Sequence, residues 1–222
     1  MGEKVIVIGE GEFRVEIPEN PIWEDINWRG FIKRDNVALL AIDFENDCCS
    51  KGGLLDKIGW HSWEIIRRSK AIENTIRLVK EFRRLDAPVI WARVFRKKGF
   101  ADMKPGTYEH AFFSWYEKVA PGVFCENTWD VEIVDELLAV KMPKDLVIDK
   151  VLSIAFTGTI LDRYLRNWKI DNLIVTGVFT DYCVEGTVRV AQDLGYLNII
   201  AGDACMAREI ATHKDALKRL ER

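Results

Sequence analysis

The chain has 222 residues, long enough for a single domain with one large core, and 48% of them are hydrophobic, as in an ordinary globular protein. Its 32 Lys and Arg against 35 Asp and Glu leave a net charge of −3 with no basic block, so no nucleic-acid partner is expected. No apolar run approaches a membrane span and the N-terminus lacks the apolar core of a signal peptide, so no membrane association and a cytoplasmic location are expected.

Lys4 to Ile8 and Phe13 to Ile17 flank Gly9-Glu10-Gly11-Glu12 and read as a β-hairpin. Gly9-Glu10-Gly11 lacks the third glycine and following helix of a dinucleotide site. Pro18 to Arg34 reads as an irregular arm carrying Trp23 and Trp28, so residues 1–34 are set apart from a body of 35–222. Val37 to Ile42 is a buried strand ending at Asp43. Ser62 to Leu85 places Ile65, Ile72, Ile76, Val79 and Phe82 at helical spacing, and Pro88 to Val94 is the next strand.

Arg96 to Thr128 has no clean period and many aromatics, among them Phe112, Phe113 and Trp115. A connection this long is either functional, an interface, or a short helix packing its rings on the core. Asp130 is expected to cap a helix reaching about Val140, and Asp145 to Asp149 is a strand leading to Lys150. Thr159 with Asp162 resembles a capping box opening a helix that buries Ile160, Leu161, Tyr164, Leu165 and Trp168. Asn172 to Thr176 is a short, β-branched strand punctuated by Gly177, and a helical pattern follows from Cys183, with Val184, Val188 and Ala191 on one face and Gly195 as its stop. Leu197 to Ala201 is a last strand and Ala207 to Arg222 a last helix.

This alternation predicts an α/β fold of three αβα layers around a mostly parallel sheet, with ligands bound outside the carboxyl ends of the strands. Asp43, Lys150 and Cys183 all fall at such ends. Cys183 begins a helix, where unpaired N–H groups and the helix dipole favour thiolate over a free thiol of pKa about 8.5. By itself Cys183 reads equally well as a small buried hydrophobe, and Asp43 with Lys150 as a solvated ion pair. Together they suit nucleophilic catalysis: Cys183 attacks a carbonyl, Asp43 moves the proton, and Lys150 orients the pair and lowers the thiol pKa. The five cysteines, Cys48, Cys49, Cys125, Cys183 and Cys205, are odd in number without CxxC spacing, and His61, His110 and His213 are scattered. Neither a disulfide framework nor a zinc site is expected.

Three segments carry a resemblance. Asp43-Phe-Glu-Asn-Asp47, Lys150-Val-Leu-Ser-Ile-Ala-Phe-Thr-Gly-Thr159 and Gly177-Val-Phe-Thr-Asp-Tyr-Cys-Val-Glu185 are similar to the motifs of the isochorismatase-like cysteine hydrolases. Asp193-Leu-Gly-Tyr196 and Gly202-Asp-Ala-Cys205 continue the match, in the family's order, over roughly residues 36 to 213. The resemblance implies the Rossmann-like fold of that family, a triad of Asp43, Lys150 and Cys183, and no cofactor. It also implies a cis peptide between Val178 and Phe179 that aims the N–H groups of Phe179 and Cys183 at one oxyanion. Glu45, Asn46, Cys48, Phe156 and Phe179 are the expected substrate contacts. A homodimer or homotetramer is expected, burying some of Trp23, Trp28, Phe112, Phe113 and Trp115.

Departures from the family pattern bear on specificity. Glu45 replaces a Gln, Cys48 an aromatic that would fill the pocket, and Phe179 a smaller Ala; the family's last segment is missing, so an edge strand is expected to be absent or truncated. Ala92-Arg-Val-Phe-Arg96 lacks the histidines of a nicotinamidase metal site. Trp129-Asp130 and Val134-Asp-Glu-Leu137 resemble ureidoacrylate and carbamoylsarcosine amidohydrolases. The resemblance therefore implies C–N hydrolysis of a small amide, carbamoyl or ureido compound. Isochorismatase chemistry, a metal-poor nicotinamidase-like amidase and a non-catalytic binding module are the alternatives.

Overall fold

The computed structural model describes residues 6–8, 11–13, 35–122 and 124–221. Strands β1 (Ile6–Ile8) and β2 (Gly11–Phe13) pair antiparallel with Ile6 opposite Phe13. The hairpin is tighter than expected, because its second strand begins at Gly11. Trp23, Trp28 and the rest of the arm lie outside the described residues.

Five strands make the main sheet: β3 (Val37–Ile42), β4 (Val89–Val94), β5 (Leu146–Lys150), β6 (Asn172–Val178) and β7 (Leu197–Met206). Their order is β5-β4-β3-β6-β7, and every pairing is parallel. Strand β3 is central and buried along its whole length. Its side chains alternate between two cores, which is why its sequence reads as one unbroken apolar run. Val37, Leu39 and Ala41 meet Ile66, Ile72, Val79 and Phe82 from the Ser62–Ser69 and Ala71–Arg84 helices. Ala38, Leu40 and Ile42 meet Leu161, Leu165, Val188 and Ala191 from the Leu161–Asn167 and Glu185–Asp193 helices. These are the three layers that the alternation predicted.

Several boundaries move, each for a local reason. The helix expected over 62–85 is broken at Lys70, which is left-handed at φ 63°. Ser69 Oγ donates to the Ile66 carbonyl and accepts the Ala71 N–H, so a serine competes with the helical ladder there. Within 96–128 a helix does form, Tyr108–Val119, capped by Thr107, whose side chain accepts the His110 N–H. It buries Tyr116 and leaves Tyr108, Phe112 and Trp115 exposed.

Asp130 caps nothing. The run 131–134 instead lies along 44–46, with Val134 N–H bonded to the Phe44 carbonyl and Asn46 N–H to the Glu132 carbonyl. Helix is confined to the single turn Asp135–Leu138. The capping box at Thr159 does not close either. Thr159 Oγ1 serves Leu161 N–H, while Asp162 accepts from the Tyr196 hydroxyl at 2.7 Å; Ile160 and Trp168, expected to be buried, are exposed. Strand β7 runs five residues past the expected Ala201, through a register irregularity at Val175/Gly177 that lets Gly177 pair Cys205. The last helix starts later than expected, at Ile210.

Gly177 has a demanding position. It faces Ile42 across the β3–β6 ladder with φ +146°, and a Cβ built there would meet the Ile42 carbonyl oxygen at 2.4 Å and its Cβ at 2.8 Å. Both obstacles belong to the central strand. Gly177→Ala is expected to destabilise the fold by about 2 kcal/mol or more in chemical unfolding. Gly202→Ala meets only the mobile end of Leu217, at 3.1 Å, and is expected to cost clearly less. Equal effects would mean that the β3–β6 approach is looser than drawn.

Candidate active site

Each member of the expected triad is delivered by its own strand. Asp43 follows β3 directly, in a left-handed turn at φ 54° anchored by its N–H on the Ala92 carbonyl at 2.9 Å. Lys150 is the last residue of β5. Cys183 lies beyond β6 in the wide turn Thr180–Val184, which runs into the Glu185–Asp193 helix. Thr180 Oγ1 and His213 Nδ1 are 2.8 Å apart, which ties this turn to the last helix. Thr187 Oγ1 accepts the Ala155 N–H at 3.0 Å and ties the same helix to the segment after Lys150. Val178–Phe179 is cis.

The ammonium of Lys150 joins the three. Its side chain is 0% exposed and donates to Asp43 Oδ2 at 2.9 Å, to the Leu152 carbonyl at 3.1 Å and to Cys183 Sγ at 3.8 Å. All three of its donors thus have acceptors. Asp43 Oδ1 is buried with no hydrogen-bond partner, so one carboxylate oxygen stays open.

Burial governs the titration. It pushes the Asp43 carboxyl above its ordinary value, although the Lys150 charge and the Cys183 thiol pull it down. It disfavours the Lys150 ammonium too, but the Asp43 carboxylate, and the Cys183 sulfur once ionised, outweigh that and hold Lys150 above its ordinary range. The Cys183 thiol is driven well above the free value, by burial first and by Asp43 second, with Lys150 opposing. This corrects the expectation of a ready thiolate: the helix start and Lys150 do not overcome desolvation, and the resting site holds a thiol.

The expected substrate contacts are spread more widely. Glu45 is buried beside Asp43, with Oε2 accepting the Val94 N–H at 3.1 Å and Oε1 unpaired. Burial, then Asp47 and Asp43, push its carboxyl well up. Asn46 is already engaged, donating to the Trp129 carbonyl at 3.1 Å and accepting from Ser50 Oγ at 2.7 Å. Cys48 packs in the first core with its Sγ donating to the Asp43 carbonyl at 3.3 Å. Phe156 is stacked on Tyr196 in the second core, whereas Phe179 is half-buried next to the nucleophile turn. Two groups were not anticipated: the Leu152 carbonyl, and Arg96, whose only signal was an arginine two residues past the end of a strand. Among the described residues no group of three or more His, Cys, Asp or Glu is arranged to hold a metal.

A family model, the isochorismatase domain, matches residues 37–222. The chain belongs to that family. It is therefore an isochorismatase-like hydrolase. It is 28% identical to the ureidoacrylate amidohydrolase RutB of Acinetobacter baylyi over 198 residues, 84% of this chain and 78% of the relative. In fold it is similar to the nicotinamidase PncA of Bacillus subtilis (TM-score 0.65, 23% identity, 84% of this chain and 95% of that one). It is also similar to the N-carbamoylsarcosine amidase of Thermoplasma acidophilum (TM-score 0.62, 22% identity, 84% and 92%).

Asp47 makes the site's burial measurable. Its carboxyl is raised from 3.8 to about 7, chiefly by desolvation. A carboxylate raised in the folded state binds its proton more tightly there than in the unfolded chain. Its contribution to stability is full below pH 3.8 and is lost as pH rises through 7. Asp47→Asn should flatten the fall in unfolding free energy between pH 5 and pH 8. An unchanged slope in urea titrations at the two pH values would show that Asp47 is ionised when folded.

Proposed function

We propose that this hydrolase cleaves a C–N bond of a small amide, carbamoyl or ureido compound through an acyl-thioester on Cys183. The observation that carries this reading is the single buried ammonium of Lys150 touching both Asp43 Oδ2 and Cys183 Sγ. Moving the thiol proton to Asp43 leaves one anion and one cation in the buried site, so net charge is conserved while the nucleophile forms. Burial raises the Asp43 carboxyl and makes it a better proton acceptor than a free carboxylate. Burial also makes the resulting thiolate more basic and less hydrated, hence a stronger nucleophile.

The thiolate attacks the carbonyl carbon. The N–H groups of Phe179 and Cys183 receive the tetrahedral oxyanion. Collapse breaks the C–N bond, and Asp43 hands the proton to the departing ammonia or amine. Water, deprotonated by Asp43, then opens the thioester, and the proton returns to the sulfur. A carbamoyl group leaves as carbamic acid, which falls to carbon dioxide and ammonia. Similarity to a relative named ureidoacrylate amidohydrolase supports the carbamoyl and ureido class.

Cys183→Ala is expected to lower turnover by more than about 10³-fold, beyond the loss of a single oxyanion donor. Cys49→Ala, Cys125→Ala and Cys205→Ala should stay within a few-fold of wild type, by ammonia release from ureidoacrylate and a panel of carbamoyl compounds and primary amides. If Cys183→Ala keeps near-normal ammonia release, the acyl-thioester route is wrong and direct attack of water on the carbonyl becomes the better reading. Activity is also expected to survive dialysis against EDTA. Loss restored by zinc would reveal a metal site.

A further inference from the structure

Arg96 stands two residues beyond the end of β4, between the strand that carries Asp43 and the strand that carries Lys150. It is 2% exposed. Its main chain is fixed, with its N–H on the Phe124 carbonyl and its own carbonyl accepting the Glu126 N–H, both at 2.8 Å. The guanidinium lies 3.5 Å from the centre of the Phe113 ring and 5.3 Å from that of Phe124. These rings support the cation through their faces but accept no in-plane hydrogen bond. Nε and Nη1 are buried without a hydrogen-bond partner, and Arg96 forms no ion pair with any described residue. A guanidinium carries five donors in a rigid fork, and buried donors are seldom left unpaired without a reason.

The charges around it do not cancel it. Asp102, Glu45 and Asp43 are the anionic groups that act on it. Asp102 is exposed and screened by water. Glu45 forms no ion pair with it, and burial, Asp47 and Asp43 push the Glu45 carboxyl well up, toward its neutral form. Asp43 is committed to Lys150. Burial lowers Arg96 only to about 10, so it stays a cation. Arg96 is thus a buried cation near the triad with open donors and no ion-pair partner among the described residues.

We propose that Arg96 anchors a carboxylate of the substrate, so that this enzyme takes amide, carbamoyl or ureido acids in preference to neutral compounds. An incoming carboxylate completes the open donors of the guanidinium and balances its charge, in the planar pairing that arginine favours. This rests on the amidohydrolase reading of the same site. It goes beyond that reading by naming a second functional group on the substrate and the residue that selects it.

The test compares ureidoacrylate with its neutral methyl ester on wild-type enzyme, Arg96→Gln and Arg96→Lys. The readout is the ratio of kcat/KM values for acid and ester. Wild type should favour the acid roughly 10- to 100-fold, the range expected for a charge-assisted pair. Arg96→Gln should bring the ratio near one, with the loss mainly in KM for the acid, and Arg96→Lys should restore part of it. A purely structural Arg96, serving only to seat Phe113 and Phe124, would depress acid and ester alike and leave the ratio where it was. That outcome overturns the proposal. Propionate binding by calorimetry, on the same three proteins, separates this failure from failure of the amidohydrolase reading. If no ureido compound turns over, yet propionate binds wild type and not Arg96→Gln, the anchor stands and the reaction is wrong. Equal propionate binding by wild type and Arg96→Gln, or none by wild type, overturns the anchor whatever the reaction.

Discussion

The rest of this molecule depends on one buried ion pair, Lys150 with Asp43, 2.9 Å apart and sealed from water. Taking two such charges out of water costs several kcal/mol per ion, and the pair alone recovers that only when the remaining donors are also satisfied. Here the Leu152 carbonyl and the Cys183 sulfur complete the ammonium. A well-packed apolar pair would serve stability at least as well. The proposed chemistry would account for the arrangement: a proton passes between sulfur and carboxylate while a fixed cation holds the total charge constant.

The sheet explains how three distant residues come to share that cation. The chain lays down β3, steps outward through β4 to β5, then returns to the other side of β3 for β6 and β7. The direction of winding reverses between β3 and β6, and such reversals open a crevice at the carboxyl edge of a parallel sheet. Asp43 and Cys183 flank this crevice, and Lys150 reaches toward it from beyond β4. Gly177 lets β6 come close to β3 where any side chain would collide with Ile42. The register of the two central strands therefore sets how Asp43 and Cys183 stand relative to each other.

Around this centre the polar groups fall into two kinds. Some position backbone: Thr180 with His213, Thr187 with Ala155, and Asn46 with Trp129. Others are buried with unused hydrogen-bonding capacity: Asp43 Oδ1, Glu45 Oε1, and Nε and Nη1 of Arg96. Unused capacity of the second kind is costly in a resting protein. Glu45, which stands where the family resemblance leads one to expect Gln, belongs to this region, with Oε2 accepting the Val94 N–H and Oε1 unpaired.

The amino-acid sequence by itself determined the layers, the strands and the segments that bring Asp43, Lys150 and Cys183 to the strand ends. Those features rest on short-range signals: the two-sided apolar runs of buried parallel strands, the helical spacing of Ile72, Val79 and Phe82, and contiguous motifs around Asp43, Lys150 and Cys183. Tertiary structure decided what depends on partners far along the chain. Asp130 lost its cap because 131–134 pairs with 44–46, and Asp162 lost its box to the Tyr196 hydroxyl. The Cys183 thiol is protonated at rest because desolvation, which no local pattern reveals, outweighs a helix start and a lysine. The burial of Arg96 depends on Phe113 and Phe124, from farther along the chain, lying over its guanidinium. Local sequence carries backbone preference and periodicity; burial and electrostatics are sums over neighbours that only the folded chain brings together.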